Sequence, residues 1–329
     1  MNRRDVLAAG WAALATMALP PFAAWAQGRY PDRPIKLVVP FAPGGATDVV
    51  GRLWAEKMRP LLGTVVVENR ASGGGALGAA EVARARPDGY TFLFGNTSTQ
   101  VLIPAIASRP PYDPLKDFVG IYLLCNSPNS IVVHESVPAR TLAELIAYAQ
   151  ANPGKLSYGS AGVGTMTNLA GELFKQLIGA PDIVHIPYKG AAPGVADLAS
   201  GHIPMMTPNV GGTLIDLHRT GKVRILAVTS RTRLQVAPDI PTAIEAGLPG
   251  MVAENFNGLF APAGLSRTIV DQLAQATHRL MADPQFQKPL LTSGFEPILD
   301  SGPEAAQRQV SEELVRWTPI MKATDFKME

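Results

Sequence analysis

Cysteine occurs once in the 329 residues, as Cys125, so the chain can form no internal disulfide, and dithiol redox chemistry is excluded. Charge is sparse. Asp, Glu, Lys and Arg make up 17% of the residues, where an average soluble protein has about a quarter. The 29 basic and 27 acidic side chains nearly cancel and form no block of like charge, which argues against nucleic acid as a partner, because phosphate-tracking surfaces need clustered Lys and Arg. The five histidines, His134, His185, His202, His218 and His278, lack the i, i+4 spacing and companion cysteines of a zinc site, so neither metal nor other cofactor is expected. Apolar runs stay below the roughly 18 residues of a membrane span. What is present is a globular composition, 47% hydrophobic with 31 glycines and 29 prolines, on a length that suits two domains.

The N-terminus reads as an address. Arg3-Arg4 opens it, residues 6–19 are apolar and small, and Ala24-Trp25-Ala26 precedes Gln27, the order of a secretory signal peptide. Residues 1–26 are therefore expected to be removed near Ala26/Gln27 and the mature protein to be periplasmic. Arg3-Arg4 followed by Val6-Leu7 loosely resembles a twin-arginine signal; ordinary secretory signals begin in the same way.

After the signal, strand and helix alternate. Short β-branched runs at 35–39, 64–67, 91–94, 119–124, 131–133, 156–158, 183–186, 205–207, 223–228 and 258–261 are separated by stretches with helical spacing, such as Val50, Leu53, Trp54 and Met58. This is an α/β pattern. Thr141-Leu142-Ala143-Glu144 is a capping box for a helix to Ala151, and the tail from Ser266 holds two or three amphipathic helices with a strand near 295–299. No long polar linker exists, so a change of domain must pass through strand-like crossings. Residues 123–130, with Cys125-Asn126-Ser127-Pro128-Asn129 read as turn formers, are one candidate, and 250–258 the other. Lobe 1 is then 27–128 plus 252–329, and lobe 2 is 129–251.

Glycine-rich junctions carry the chemical signal. Phe41-Ala42-Pro43-Gly44-Gly45-Ala46-Thr47-Asp48 links the first strand to the first helix, Tyr158-Gly159-Ser160-Ala161-Gly162-Val163-Gly164-Thr165 repeats the arrangement, and Pro187-Tyr188-Lys189-Gly190-Ala191 is a third. Glycine lets backbone N–H groups approach a ligand, and a helix start offers unpaired donors with partial positive charge, which fits an anion. Tight turning alone would also explain each glycine; one loop in each lobe favours a ligand between them. Sharper motifs fail. Gly73-Gly74-Gly75-Ala76-Leu77-Gly78 matches G-x-G-x-x-G, yet no acid stands about 20 residues on, at Leu93, Phe94 or Gly95. A nucleophile elbow at Ser160 needs glycine where Tyr158 stands.

Taken in order, Tyr30-Pro31-Asp32-Arg33-Pro34, Val39-Pro40-Phe41-Ala42-Pro43-Gly44-Gly45 with Asp48 and Arg52, Val67-Glu68-Asn69-Arg70, Pro87-Asp88-Gly89-Tyr90, Tyr112-Asp113-Pro114-Leu115, Asn152-Pro153-Gly154-Lys155, Pro187-Tyr188-Lys189-Gly190 and Gly258-Leu259-Phe260-Ala261-Pro262 resemble the Bug-type substrate-binding receptors of tripartite tricarboxylate transporters. The resemblance implies a type II periplasmic binding fold, two α/β lobes joined by two crossing segments that close on a small carboxylate. It also implies a non-catalytic role and transporter membrane subunits as partners; a monomer is expected, because lobe closure needs no second copy. Carried over by residue, Phe41, Pro43, Gly44, Gly45 and Asp48 form one grip, and Ser160, Gly162, Gly164 and Thr165 the other. Phe256 stands where the family often has tryptophan and would be an aromatic wall or a core residue. Asn168 replaces a frequent histidine, and Pro204 and Pro208, around Met205-Met206 and before Asn209, replace two acids. The missing acids favour ligands without an ammonium group, such as plain dicarboxylates or aromatic acids. Two other readings are an exported α/β hydrolase using Ser160 and a binding protein that shows its ligand to a signalling partner.

Overall fold

The apolar run at 35–39 folds as a strand buried on both faces, as a strand between parallel neighbours and beneath helices must be. The computed structural model describes residues 30–323; the expected signal peptide and its cleavage point lie outside them. The chain begins with β1 (Ile35–Val39), α1 (Ala46–Leu62), β2 (Val65–Asn69), α2 (Ala76–Ala83), β3 (Thr91–Asn96) and α3 (Ile103–Ile106), then β4 (Phe118–Pro128). A second set follows: β5 (Ser130–His134), α4 (Leu142–Ala151), β6 (Ser157–Ser160), α5 (Met166–Ile178), β7 (Val184–Pro187), α6 (Ala191–Ala199), β8 (Met205–Met206), α7 (Gly212–Arg219) and β9 (Val223–Val228). The chain returns through β10 (Glu254–Pro262), α8 (Arg267–Met281), α9 (Pro284–Thr292), β11 (Glu296–Pro297) and α10 (Pro303–Ala323).

Two sheets result. The first has the order β11-β4-β10-β3-β1-β2 and the second β7-β6-β8-β5-β9. Parallel pairing surrounds β1 and β6, the two strands that feed the glycine junctions. Both junctions therefore open beyond carboxyl ends of parallel strands, with a helix starting immediately after. Helix α1 is anchored beneath its sheet by Trp54, which is fully buried and donates its indole N–H to Thr277 at 3.1 Å. The capping residue Thr141 accepts the Glu144 amide at 3.1 Å, while the Glu144 carboxylate reaches one residue further back than a regular box, to the Arg140 amide at 2.7 Å.

Only Asn129 separates β4 from β5, and the return into β10 lies against it, with Glu254 opposite Pro128 and Phe256 opposite Asn126. The two crossings are thus hydrogen-bonded antiparallel partners. One expectation needs correcting: Cys125-Asn126-Ser127-Pro128 is strand, not turn. Its turn-forming composition is overridden because β10 pairs with it on one side and β11 on the other, and strand propensity yields to such context.

Candidate functional site

The loop before α1 is built around Asp48. This carboxylate is 2% exposed and accepts from the Gly44 amide at 2.8 Å, the Arg52 guanidinium at 2.9 Å and the Asn69 side-chain amide at 2.8 Å. Asn69 also donates to the Phe41 carbonyl at 2.9 Å. Burial alone would raise the Asp48 pKa, but the bonds from Arg52, Asn69 and Gly44 outweigh it and hold the acid below its usual 3.8. The residue fastens the loop; it does not line the cleft. Gly44 takes a positive φ of 82°, and Gly45 caps the helix without a side-chain acceptor, so the first amides of α1 keep their unpaired donors.

The loop before α5 is held by uncharged groups. Thr165 caps the helix by accepting from the Asn168 amide at 3.2 Å and donates to the Gly162 carbonyl at 2.6 Å. Thr167 accepts from the Ala161 amide at 2.8 Å, and Asn168 accepts from Gly164 at 3.2 Å while donating to the Tyr158 hydroxyl at 2.6 Å. That hydroxyl donates to Glu172 at 2.7 Å. Ser160 is fully buried, with its hydroxyl 2.7 Å from Nε2 of His185. The His185 ring stacks on Tyr158 at 4.8 Å, and burial pushes its pKa down to about 4, so the ring is neutral at pH 7.

The two loops meet. The Ala42 amide donates to the Lys189 carbonyl at 3.3 Å, and the Met166 amide donates to Ser98 at 2.9 Å. A Cβ on Gly74 would stand 2.4 Å from the Val163 carbonyl oxygen, and one on Gly190 would stand 2.9 Å from the Ala42 Cβ. Glycine at these positions allows the close contact.

Between them lies a polar cleft of about 20 Å³, lined by Phe41, Gly45, Ala46, Thr47, Asn96, Ser98, Ala161, Thr165, Thr167, Ala191, Asn209 and Asn255. No charged side chain is among these. The starts of α1, α5 and α6 all face it with partial positive charge; α1 and α6 lack a side-chain cap, while at α5 the Met166 and Asn168 amides are paired with Ser98 and Thr165. Ser98 accepts the Met166 amide and so retains a hydroxyl proton to donate. Asn255 accepts the Thr97 amide through its side-chain oxygen at 3.1 Å, which leaves its NH2 group for the cleft. Asn209 is oriented oppositely. It spends its NH2 on the Ser127 carbonyl at 3.1 Å and on Asn129 at 3.2 Å, leaving an acceptor oxygen. The arrangement can hold a small anion by neutral donors while accepting from one hydroxyl.

Of the residues singled out in the sequence, Phe41, Gly45, Thr165 and Asn209 line this cleft and Gly44 lines the adjoining cavity. Asp48, Ser160, Gly162, Gly164 and Asn168 sit behind it as the scaffold, and Pro43 is exposed at the loop tip. Phe256 is a core residue, 4% exposed with its ring 6.5 Å from that of Phe260; the aromatic wall is Phe41. Sequence reasoning missed Thr47, Asn96, Ser98, Thr167, Ala191 and Asn255. Asn96-Thr97-Ser98-Thr99 is a polar run at the end of a strand, and Thr47 and Ala191 lie inside the first and third junctions without having been singled out.

Comparison with known proteins places this geometry. The sequence profile of the tripartite tricarboxylate transporter family receptor matches residues 50–326. The chain belongs to that family. Its fold is that of the solved periplasmic binding protein BugD, with 36% identity, a TM-score of 0.86 and coverage of 91% of this chain and 100% of that one. The Rhodopseudomonas palustris protein Rpa4515, solved with adipate, is 34% identical with a TM-score of 0.85, covering 89% and 97% of the two chains. MatC of the same organism, with bound malate, is 32% identical with a TM-score of 0.84, covering 88% and 99%. Receptors of this family are solute-binding and periplasmic, and among the described residues of this one no helix is long and apolar enough to cross a membrane.

Proposed function

We propose that this receptor captures a small carboxylate between its lobes, 27–128 plus 252–329 and 129–251, and presents it as a monomer to the membrane subunits of a tripartite tricarboxylate-type transporter. The observation that carries the reading is the convergence of three helix starts on a cleft without charged side chains. A carboxylate meets fixed N–H and hydroxyl donors there, and neutral donors leave no ion pair to be broken on release. The closed cleft has room for about one or two waters, so the lobes part about β4 and β10 to admit a ligand.

One contact favours a second reading, hydrolysis: Ser160 and His185 form a serine–histidine pair. Against it, Ser160 is fully buried, does not line the cleft and is further tied by the Gly162 amide at 3.1 Å. The pair supports the loop.

A thermal-shift panel of small carboxylates on the purified protein tests the proposal. A ligand at about 100 times its Kd is expected to add roughly 2.7 kcal/mol, a rise of several degrees for a chain of this size, and to be recovered chemically unchanged. No shift with any carboxylate would overturn the reading; a ligand recovered as a hydrolysis product would replace it with the serine hydrolase.

A further inference from the structure

The polar cleft accommodates a head group and little else. A second cavity of about 500 Å³ adjoins it, and Gly45, Ala46, Ala191 and Asn209 line both. This channel is bordered by the first turn of α1, by helices α6 and α7, and by Ser293 and Phe295. Its walls are mostly apolar: Val49, Val195, Leu214, Leu217 and Phe295 stand among alanines and glycines, Asn209, Thr213 and Ser293 are the polar exceptions, and no charged side chain lines it. Val49 is 41% exposed, an apolar side chain on the first turn of a helix beside an anion-binding loop. A dry apolar cavity of about 150 Å³ already takes up benzene, so the channel admits an aromatic ring or a chain of several carbons.

The contrast between the two cavities is chemical as well as spatial. Three helix starts gather at one end, whereas the other offers a single one, that of α7 at Gly212, with the hydroxyls of Thr213 and Ser293 and no charged side chain. A second carboxylate in the mostly apolar channel would exchange its hydration for few donors, whereas an alkyl or aryl group would gain by leaving water.

Resting on the carboxylate-receptor reading above, we propose that the ligand is an amphiphilic monocarboxylate: its carboxylate lies at the helix starts and an uncharged apolar arm fills the channel.

Calorimetry on the purified protein with straight-chain monocarboxylates from acetate to heptanoate, with benzoate, succinate and adipate alongside, tests this. The Kd is expected to tighten about four-fold for each added methylene, which is ~0.8 kcal/mol, and hexanoate to bind at least ten-fold tighter than adipate. Ala196→Trp, on an exposed position of α6 that borders the channel, is expected to cut the gain per methylene below about 1.5-fold. Affinity independent of chain length, or adipate binding more tightly than hexanoate, would overturn the proposal while leaving the receptor reading intact. Failure of every carboxylate to bind would overturn both. The chain-length series on the unmodified protein decides the matter even if the tryptophan variant does not fold.

Discussion

Asp48 fastens the loop before α1 through Gly44, Arg52 and Asn69, whereas Thr165, Thr167, Asn168 and Tyr158 fasten the loop before α5 with no formal charge of their own. Both arrangements spend their side chains on positioning. What lines the cleft is backbone, hydroxyl and amide, and the cleft between two differently built loops stays neutral. The charged version gains from the dipole of α1 and from Arg52, and it makes that loop sensitive to acid. The neutral version is insensitive to acid except where His185 supports Ser160 from behind.

The largest effect is expected where the Gly74 turn before α2 touches the loop before α5. Gly74→Ala would set a Cβ 2.4 Å from the Val163 carbonyl in a backbone with φ of 64°. It should lower carboxylate affinity about 100-fold by depopulating the closed form, with the scattering profile of the liganded protein staying that of an open molecule. Unchanged affinity would mean that the loops close without meeting.

Next comes the charged loop. Asp48→Asn should cost about 2–3 kcal/mol at pH 7, read by denaturant unfolding, because it removes the charge facing Arg52 and turns one of the two accepting oxygens into a donor, against either Asn69 or Arg52 and Gly44. The sign with pH follows from a folded pKa below 3.8: the stabilisation is fully present above the unfolded value and is lost as pH falls through the folded one. Comparing wild type and variant from pH 5 down to pH 2 should therefore show their difference shrinking; a constant difference would remove Asp48 as its source.

The smallest effect belongs to the neutral loop. His185 titrates near 4 in the fold and near 6.5 when unfolded, so the unfolded chain binds the extra proton between those values and stability falls as pH drops across that window. With its partial exposure discounted, the loss should be about 1–2 kcal/mol. His185→Gln should flatten melting temperature between pH 6.5 and 4, and an unaltered slope would assign the loss to other groups.

Some of this was readable before any coordinates. Hydrophobic runs of strand length alternating with helical spacing depend only on neighbours along the chain, so β1, α1, the capped helix α4 and β9 stand close to where periodicity puts them. The glycine loops were legible for the same reason: a backbone that must bend beyond a strand shows it locally. Site membership was less so. Asp48, Ser160 and Asn168 belong to the right loops yet face inward, because a short polar side chain beside unpaired loop amides bonds to them first.

By itself, then, the sequence determined the alternating α/β pattern, the two junctions and the family. Only the tertiary structure decided that Cys125-Asn126-Ser127-Pro128 runs as strand, that Phe256 is core and Phe41 the wall, and that Asn96, Ser98 and Asn255 join a cleft with Thr165 and Asn209. The reason is range: hydrogen bonds such as Met166 to Ser98 span 68 positions, and no local preference records a partner that distant.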